Sequence, residues 1–542
     1  MTPGALPPIA ARTISNAFER ARDECPSKEF LRYQGKSWTF EQTFEEALAI
    51  GQGIRELVER PQVPIAFLLD NSSDFVFAWM GVALQRLIEV PINTALRGRF
   101  LAHVLNDSAA EVLVVEEHYV ERILAVADQL SSLRTIVVRN STQGTPTNTT
   151  LDFRRYDEIR VAKPALPGAC KPDDIIGYMY TSGTTGPSKG VKSSQVHAYT
   201  YCSQEDSYEP TADECILVTL PLFHLAGQWA GVYGCLISRV TCVLEPGFSV
   251  SRFWNVVNDN KVTRTVLLGA QAEMLQQQAP TAGDSENTLL EAAMAPLPTN
   301  AEAFCRRFGV QAKPVYGMSE VGSVLRGEDP DDVRPGEAGK RRPSYLLKVV
   351  GDDGREVAPN TPGELLVKPE HPLMVMSGYH NLPEKTADMI DQDGWVHTGD
   401  IFKVDVDGHF YFLDRAKDAL RRRGENISSF EVETTINEHP QVLESAVVGV
   451  DSELSEQEIK AFIVLREGQS LDPIELIRFL VPRMPYFTVP RYIEIVDELP
   501  KTPTHKVQKV ELRARGVGGS TWDLNETGFR VKREGLVQLT SK

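Results

Sequence analysis

Apolar positions recur at helical spacing over 13–25 and 40–59, and short runs rich in Val, Ile and Leu stand at 63–68, 112–115 and 133–138. A 3.6-residue period marks an amphipathic helix, whereas a brief apolar run bounded by polar turns marks a buried strand. Their alternation predicts an α/β fold. The stretch 140–150 is polar, Thr-rich and interrupted by Gly and Pro, which predicts a surface loop. Further on, the chain turns strand-rich, with Gly and Asp punctuation at 351–354, 391–394 and 405–408 that predicts the hairpins of a β-rich subdomain. A helix over 430–438, strands over 445–450 and 459–465 and a helix over 473–480 then predict a compact α+β unit of roughly a hundred residues, enough to fold alone. The expected organisation is a large N-terminal region of α/β subdomains with a β-rich subdomain, 1–416, followed by a small α+β C-terminal domain, 417–542. Within the latter, 516–542 opens on Gly516-Val517-Gly518-Gly519 and is expected to wrap the surface or move freely.

Composition narrows the class. At 542 residues the chain is too long for one ordinary core, and its net charge of −17 argues against nucleic acid or an anionic membrane as the main partner. The seven cysteines form no C-x-x-C pair, so they are expected to be reduced thiols of a cytoplasmic protein and not a disulfide framework or a zinc site. The first residues, MTPGALPPIAART, lack the charged and apolar regions of a signal peptide, and the longest apolar run, 75–84, is too short to span a membrane.

Candidate chemistry begins at 180–190, YTSGTTGPSKG, directly after the apolar-leaning run 175–180. Glycine admits backbone N–H groups close to an anion, Ser182, Thr184 and Thr185 add hydroxyl donors, and Lys189 adds charge, so the stretch reads as a phosphate grip. Gly183, Gly186 and Lys189 are evenly spaced and Gly190 follows the lysine, which excludes the P-loop pattern of Gly, four residues and Gly-Lys-Ser/Thr.

This stretch resembles the signature of the adenylate-forming superfamily of acyl-CoA synthetases, peptide-synthetase adenylation domains and luciferases. Four further elements come in the family's order. Tyr316-Gly317-Met318-Ser319-Glu320 is similar to its YGxTE element, Thr398-Gly399-Asp400 to its TGD, Asp414-Arg415-Ala416-Lys417-Asp418 to its hinge, and Lys501 to Lys506 to its C-terminal lysine loop. Residues 421–428, RRRGENIS, and the lysine loop resemble the carnitine/crotonobetaine-CoA ligase branch of bacterial acyl-CoA ligases.

The resemblance implies ATP-dependent activation of a carboxylic acid to acyl-AMP with release of pyrophosphate, then acyl transfer to coenzyme A. It implies that Thr181, Ser182, Gly183, Thr184, Thr185, Gly186 and Lys189 hold the β- and γ-phosphates and that Glu320 holds Mg²⁺. Tyr316, with Gly317 and Met318, would lie against adenine, Ser319 would meet the α-phosphate, and Asp400 would take the ribose hydroxyls beside Arg415. Lys506 would bridge the carboxylate and the α-phosphate, and the small, mobile C-terminal domain would turn about a hinge at Lys417 between the half-reactions. His505 stands where the family has Gly, which leaves the loop geometry, and the choice among Lys501, Lys506 and Lys509, open.

The acid is only partly specified. His224, in Pro221-Leu222-Phe223-His224, stands where amino-acid-selecting relatives carry Asp, so an acid without an α-amino group is expected. Ala293-Met294-Ala295-Pro296 replaces the family's GGAP, so side chains reshape the acyl and adenine pocket at Ala295 and Pro296. The expected partners are a small carboxylic acid, ATP and CoA, with a homodimer as the alternative to a monomer. Two readings compete with the acid–CoA ligase: an adenylating enzyme that hands acyl-AMP to another acceptor, and a non-catalytic ATP-binding protein.

Overall fold

The computed structural model describes the chain except residues 1–4, 143–149, 182–187, 207–209, 212, 299, 328–332, 416–419, 423–424, 428, 452–456, 485, 487, 502–506, 533–534 and 539–542, and except the side chains of 414, 415, 421, 422, 425, 426, 431 and 451. Two compact units divide it: Met1–Leu347 with Leu366–His397 and Asp407–Phe410, and Lys348–Leu365 with Thr398–Val406 and Tyr411–Lys542.

In the first unit the predicted helices and strands form with shifted ends. Thr13 caps Ile14–Glu24, and Thr39 with Gln42 forms a capping box that starts Phe40–Glu56. The next helix, Ser73–Leu84, is apolar on every side, and every residue except Asp74 is buried. It crosses Phe40–Glu56 at nearly backbone distance. A Cβ on Gly51 would lie 2.5 Å from the carbonyl oxygen of Gly81, and one on Gly81 would lie 2.2 Å from that of Ala47, so only glycine fits at both.

These helices separate two sheets. The seven-stranded sheet runs in the order Asp152–Arg155, Thr135–Arg139, Val112–Glu116, Pro64–Leu68, Ile88–Pro91, Ile175–Thr181 and Lys189–Ser194, all parallel except the final hairpin. The nine-stranded sheet has a parallel centre, in the order Gln311–Met318, Glu291–Ala295, Arg264–Leu268, Cys215–Val218, Thr241–Leu244 and Glu29–Tyr33. One apolar core holds Ile65, Phe67, Val112 and Val191 from the first sheet, Leu31, Val218 and Leu244 from the second, and Trp79 and Trp229 between them. Near the N-terminal ends of the central strands Glu291 pairs with Arg264 and with Lys313, 2.8 Å away. Burial alone would raise the Glu291 carboxyl, yet its two cations hold it below the usual range.

The second unit contains the sheet Val442–Asp451, Gln457–Leu465, Tyr492–Ile495 and Trp522–Asp523, with helices Ser429–Asn437 and Pro473–Leu480. The segment after Gly516 thus contributes an edge strand, and Arg491 fixes Asp523 at 2.8 Å. Lys460 is fully buried and donates to Glu494, the Gly516 carbonyl and Thr521 at 2.6 to 2.8 Å.

One core position breaks the apolar pattern. On Ile88–Pro91 the side chains of Ile88 and Val90 join one core, while Glu89 is fully buried and receives the Gln228 amide at 2.6 Å. Burial pushes its carboxyl up to about 8. The native state therefore keeps a proton that the unfolded chain releases near 4.5, and stability falls as pH rises between these values. Glu89→Gln is expected to abolish roughly 3 kcal/mol of the stability difference between pH 5 and pH 8. Urea unfolding at both values checks this, and an unchanged difference would place the proton elsewhere.

Candidate functional site

The phosphate-grip stretch sits on the final hairpin of the seven-stranded sheet. Ile175–Thr181 runs out and Lys189–Ser194 returns, with Thr181 directly opposite Lys189. Ser182, Gly183, Thr184, Thr185 and Gly186 lie outside the described residues, but their two anchors are fixed and paired. The segment around Tyr379 runs beside the returning strand: Lys192 donates its N–H to the Gly378 carbonyl at 2.9 Å, and His380 donates to that of Gly190 at 2.7 Å.

That segment links Lys189 to Glu320. The Lys189 ammonium lies 4.3 Å from the centre of the Tyr379 ring, and the Tyr379 hydroxyl donates to Glu320 Oε1 at 2.8 Å. The Glu320 side chain is buried, and its carbonyl accepts from the Met376 N–H at 2.9 Å. A cation, a phenol and a carboxylate from three separate stretches thus stand together at the mouth of the grip. Tyr379 was not foreseen from sequence; the Gly378-Tyr379 pair was its only signal.

The other expected residues of this unit stand at the C-terminal ends of the central parallel strands, the edge where open α/β sheets bind ligands. Ala295 ends Glu291–Ala295 opposite Leu268, and Pro296 comes next. Tyr316, Gly317 and Met318 end the next strand, and Ser319 and Glu320 form the turn into Gly322–Arg326. A Cβ on Gly317 would lie 2.4 Å from the Gly322 carbonyl oxygen, so the hairpin closes only with glycine there.

His224 is exposed and opens a π-helical turn, Ala226–Tyr233. Its carbonyl accepts from the N–H groups of Gly227 and Gln228, and its Nδ1 accepts from the Ala226 N–H at 3.3 Å. An accepting Nδ1 leaves the proton of the neutral ring on Nε2. The segment before it is pinned by Asn71, which donates to the Leu220 and Glu245 carbonyls at 3.0 and 3.1 Å and accepts from the Leu222 N–H at 2.8 Å. Sequence reasoning missed Asn71, because a lone buried amide carries no pattern. It borders a cavity of about 420 Å³ also lined by Asp70, Glu116, His118 and Arg139. These charges largely pair with one another or with neighbours: Asp70 with His118 at 3.2 Å, and Arg139 with Glu116 and Asp74 at 2.8 and 2.7 Å.

In the second unit, Asp400 is buried on strand Val396–Val404, and its N–H donates to Thr398 Oγ1 at 3.1 Å. Gly399 donates to Glu364 Oε1 at 2.9 Å. Arg415 ends strand Phe410–Arg415, whereas Lys417 and Lys506 lie outside the described residues.

Residues 18–380 match the family model described as AMP-binding enzyme, and 431–506 match AMP-binding enzyme C-terminal domain. The crotonobetaine/carnitine–CoA ligase of Escherichia coli (strain SE11) is 30% identical over 464 residues, 83% of this chain and 88% of that protein, and that of Shigella sonnei (strain Ss046) gives the same figures. The solved anthranilate CoA ligase AuaEII, in complex with anthranoyl-AMP, has a TM-score of 0.84 and 26% identity over 94% of this chain and 98% of its own. The o-succinylbenzoate CoA synthetase MenE of Bacillus subtilis, bound to OSB-AMP, shares the fold with a TM-score of 0.80 and 24% identity over 92% and 98% of the two chains.

The Tyr379–Glu320 bond should be measurable by itself. Tyr379→Phe keeps the ring against Lys189 but strips a buried carboxylate of a donor, an expected loss of about 2 kcal/mol. A double-mutant cycle with Glu320→Ala in urea unfolding should return a coupling of about 1.5 kcal/mol; additive losses would mean that the bond does not form.

Proposed function

As a member of the AMP-binding enzyme family the chain is an AMP-forming acid–CoA ligase, and we propose that the Lys189–Tyr379–Glu320 contact marks the seat of its ATP phosphates. It activates a carboxylic acid with ATP to an acyl-adenylate and then passes the acyl group to CoA. The first step sets one anion against another, so catalysis requires local positive charge and alignment of the reactants.

Lys189 and the hydroxyls and amides of 181–186 neutralise the β- and γ-phosphates as they leave together as pyrophosphate. Glu320 suits Mg²⁺, because its carboxylate is a hard oxygen donor already oriented through Oε1 by Tyr379. When bound there, that ion would offset phosphate charge. Ser319 meets the α-phosphate, and Tyr316 stacks on the adenine at the strand edge it shares with Ala295 and Pro296. His224, its Nδ1 already taken by the Ala226 N–H, faces the acid through Nε2. Asp400 takes the ribose hydroxyls beside Arg415.

Lys506 enters from the loop after Lys501 and spreads its charge over the attacking carboxylate and the α-phosphate. Rotation about Lys417 then withdraws it and admits CoA, whose phosphates the arginines at 421–423 would meet. Seven thiols without a disulfide favour a reducing, cytoplasmic setting.

The observation that carries this site assignment is the Lys189–Tyr379–Glu320 contact at the mouth of the grip, and separating the half-reactions tests it. Lys506→Ala is expected to lower acid-dependent exchange of labelled pyrophosphate into ATP by about 100- to 1,000-fold, while added acyl-AMP still yields thioester. Equal loss in both assays would make Lys506 structural. Lys417→Pro should do the reverse, sparing exchange and reducing thioester formation by orders of magnitude.

A further inference from the structure

The hairpin that carries Tyr316 and Glu320 also carries a charge that the acid–CoA ligase reaction does not use. Arg326 lies directly opposite Val315, and Ser323 lies opposite Gly317. Arg326 Nε donates to Ser323 Oγ at 3.2 Å, while its Nη1 is sealed from solvent with no hydrogen-bond partner among the described residues. Close by, Arg342 is buried and donates to the carbonyls of Thr200, Ser323 and Ser203 and to Asp206 at 2.8 Å, leaving its Nε without a partner. Tyr345 is fully buried and its hydroxyl is likewise unpartnered.

Among the described residues, donors therefore outnumber acceptors here. Asp206 is the carboxylate that Arg342 engages, and it is also engaged by Ser344 at 3.2 Å. Burial, reinforced by the like charge of Arg342, pulls the Arg326 guanidinium down to about 9 against the opposing pull of Asp206. Arg326 as a whole is half-buried, but a sealed guanidinium N–H without an acceptor is costly unless an anion meets it.

The patch is joined to the acid's end of the site. Helix Gln195–Cys202 packs against strand Gly322–Arg326 and against the π-helical turn that comes after His224. Its Tyr201 ring stands 5.9 Å from Trp229 of that turn and reaches within 3.6 Å of where a Cβ on Gly322 would be.

We propose that Arg326, with the open groups of Arg342 and Tyr345, receives a second carboxylate on the substrate, so that this ligase activates one carboxyl of a dicarboxylic acid. The inference rests on the acid–CoA ligase reading. It makes Arg326 a specificity residue: the distal carboxylate pairs with its guanidinium while the other carboxyl reacts. An acid ending in a fixed positive charge is excluded by the same two arginines.

Matched acids test it: glutarate against butyrate, terephthalate against benzoate, and a quaternary-ammonium acid as the opposite charge. Pyrophosphate exchange is run beside calorimetric binding of each acid to the full chain. The diacid of at least one pair is expected to win by about 100-fold in kcat/KM, mostly through KM. Arg326→Gln should erase that preference and change the monoacid by less than about threefold, with partial rescue by Arg326→Lys. If the glutamine variant does not fold, the wild-type comparison decides alone. Monoacids equal to or better than their diacids, equal loss for both members in Arg326→Gln, or no diacid binding at all would overturn the inference. Diacid binding lost in Arg326→Gln but without exchange would instead sustain it and count against the ligase reading.

Discussion

The close crossing of two helices at Gly51 and Gly81 is the constraint on which the first unit depends. Each glycine leaves the other's backbone in the space that a side chain would fill, so the helices lie deep enough for both sheets to close over them. Because Ser73–Leu84 is apolar all round, its burial is worth roughly 1.5–3 kcal/mol for each large side chain, and only a two-sided layer can collect it. The parallel strands on either side then point their C-terminal ends consistently, which is what brings His224, Ala295 and Tyr316 to one edge without any contact among them being required.

The two sheets put charge to different uses. At the N-terminal ends of the nine-stranded sheet, Arg264 and Lys313 meet Glu291, and Arg264 also meets Glu214 at 3.5 Å, so two cations are matched by two carboxylates in an arrangement that consumes charge to hold register. On the final hairpin of the seven-stranded sheet, Lys189 rests on an aromatic face, which attracts a cation without neutralising it and leaves its charge available to a phosphate. A chain with a net charge of −17 can therefore receive a polyanion, because the field that matters is local.

Sequence pattern reached the fold where periodicity was strong. The helices near 13–25 and 40–59 begin within a residue of expectation, where Thr13 and Thr39 cap them. The phosphate grip and the Tyr316–Glu320 element were legible as short motifs. Tyr379 and Asn71 were not, since each acts through partners more than fifty residues away and neither belongs to a periodic pattern. Glu89 escaped for a different reason: a strand position reads as apolar by its neighbours, and only the approach of Gln228 explains a buried carboxyl there. The strand at Trp522–Asp523 was hidden by the glycines before it, which signalled a loose extension although Arg491 and Lys460 secure Asp523 and Thr521 beyond them.

Lys460 carries a practical consequence for anyone dividing this chain into pieces. Its ammonium is enclosed by Glu494 from the sheet and by Gly516 and Thr521 from the segment beyond the last family-matched residue, so cutting at the family boundary near 506 would strip two of its three oxygen partners. Such a fragment would contain every motif by which the C-terminal domain is recognised and still expose a charge that the intact unit encloses. A fragment of that unit meant for crystallisation, fusion or transplantation into a relative should run past Asp523, and preferably through the hairpin that closes at Gln538.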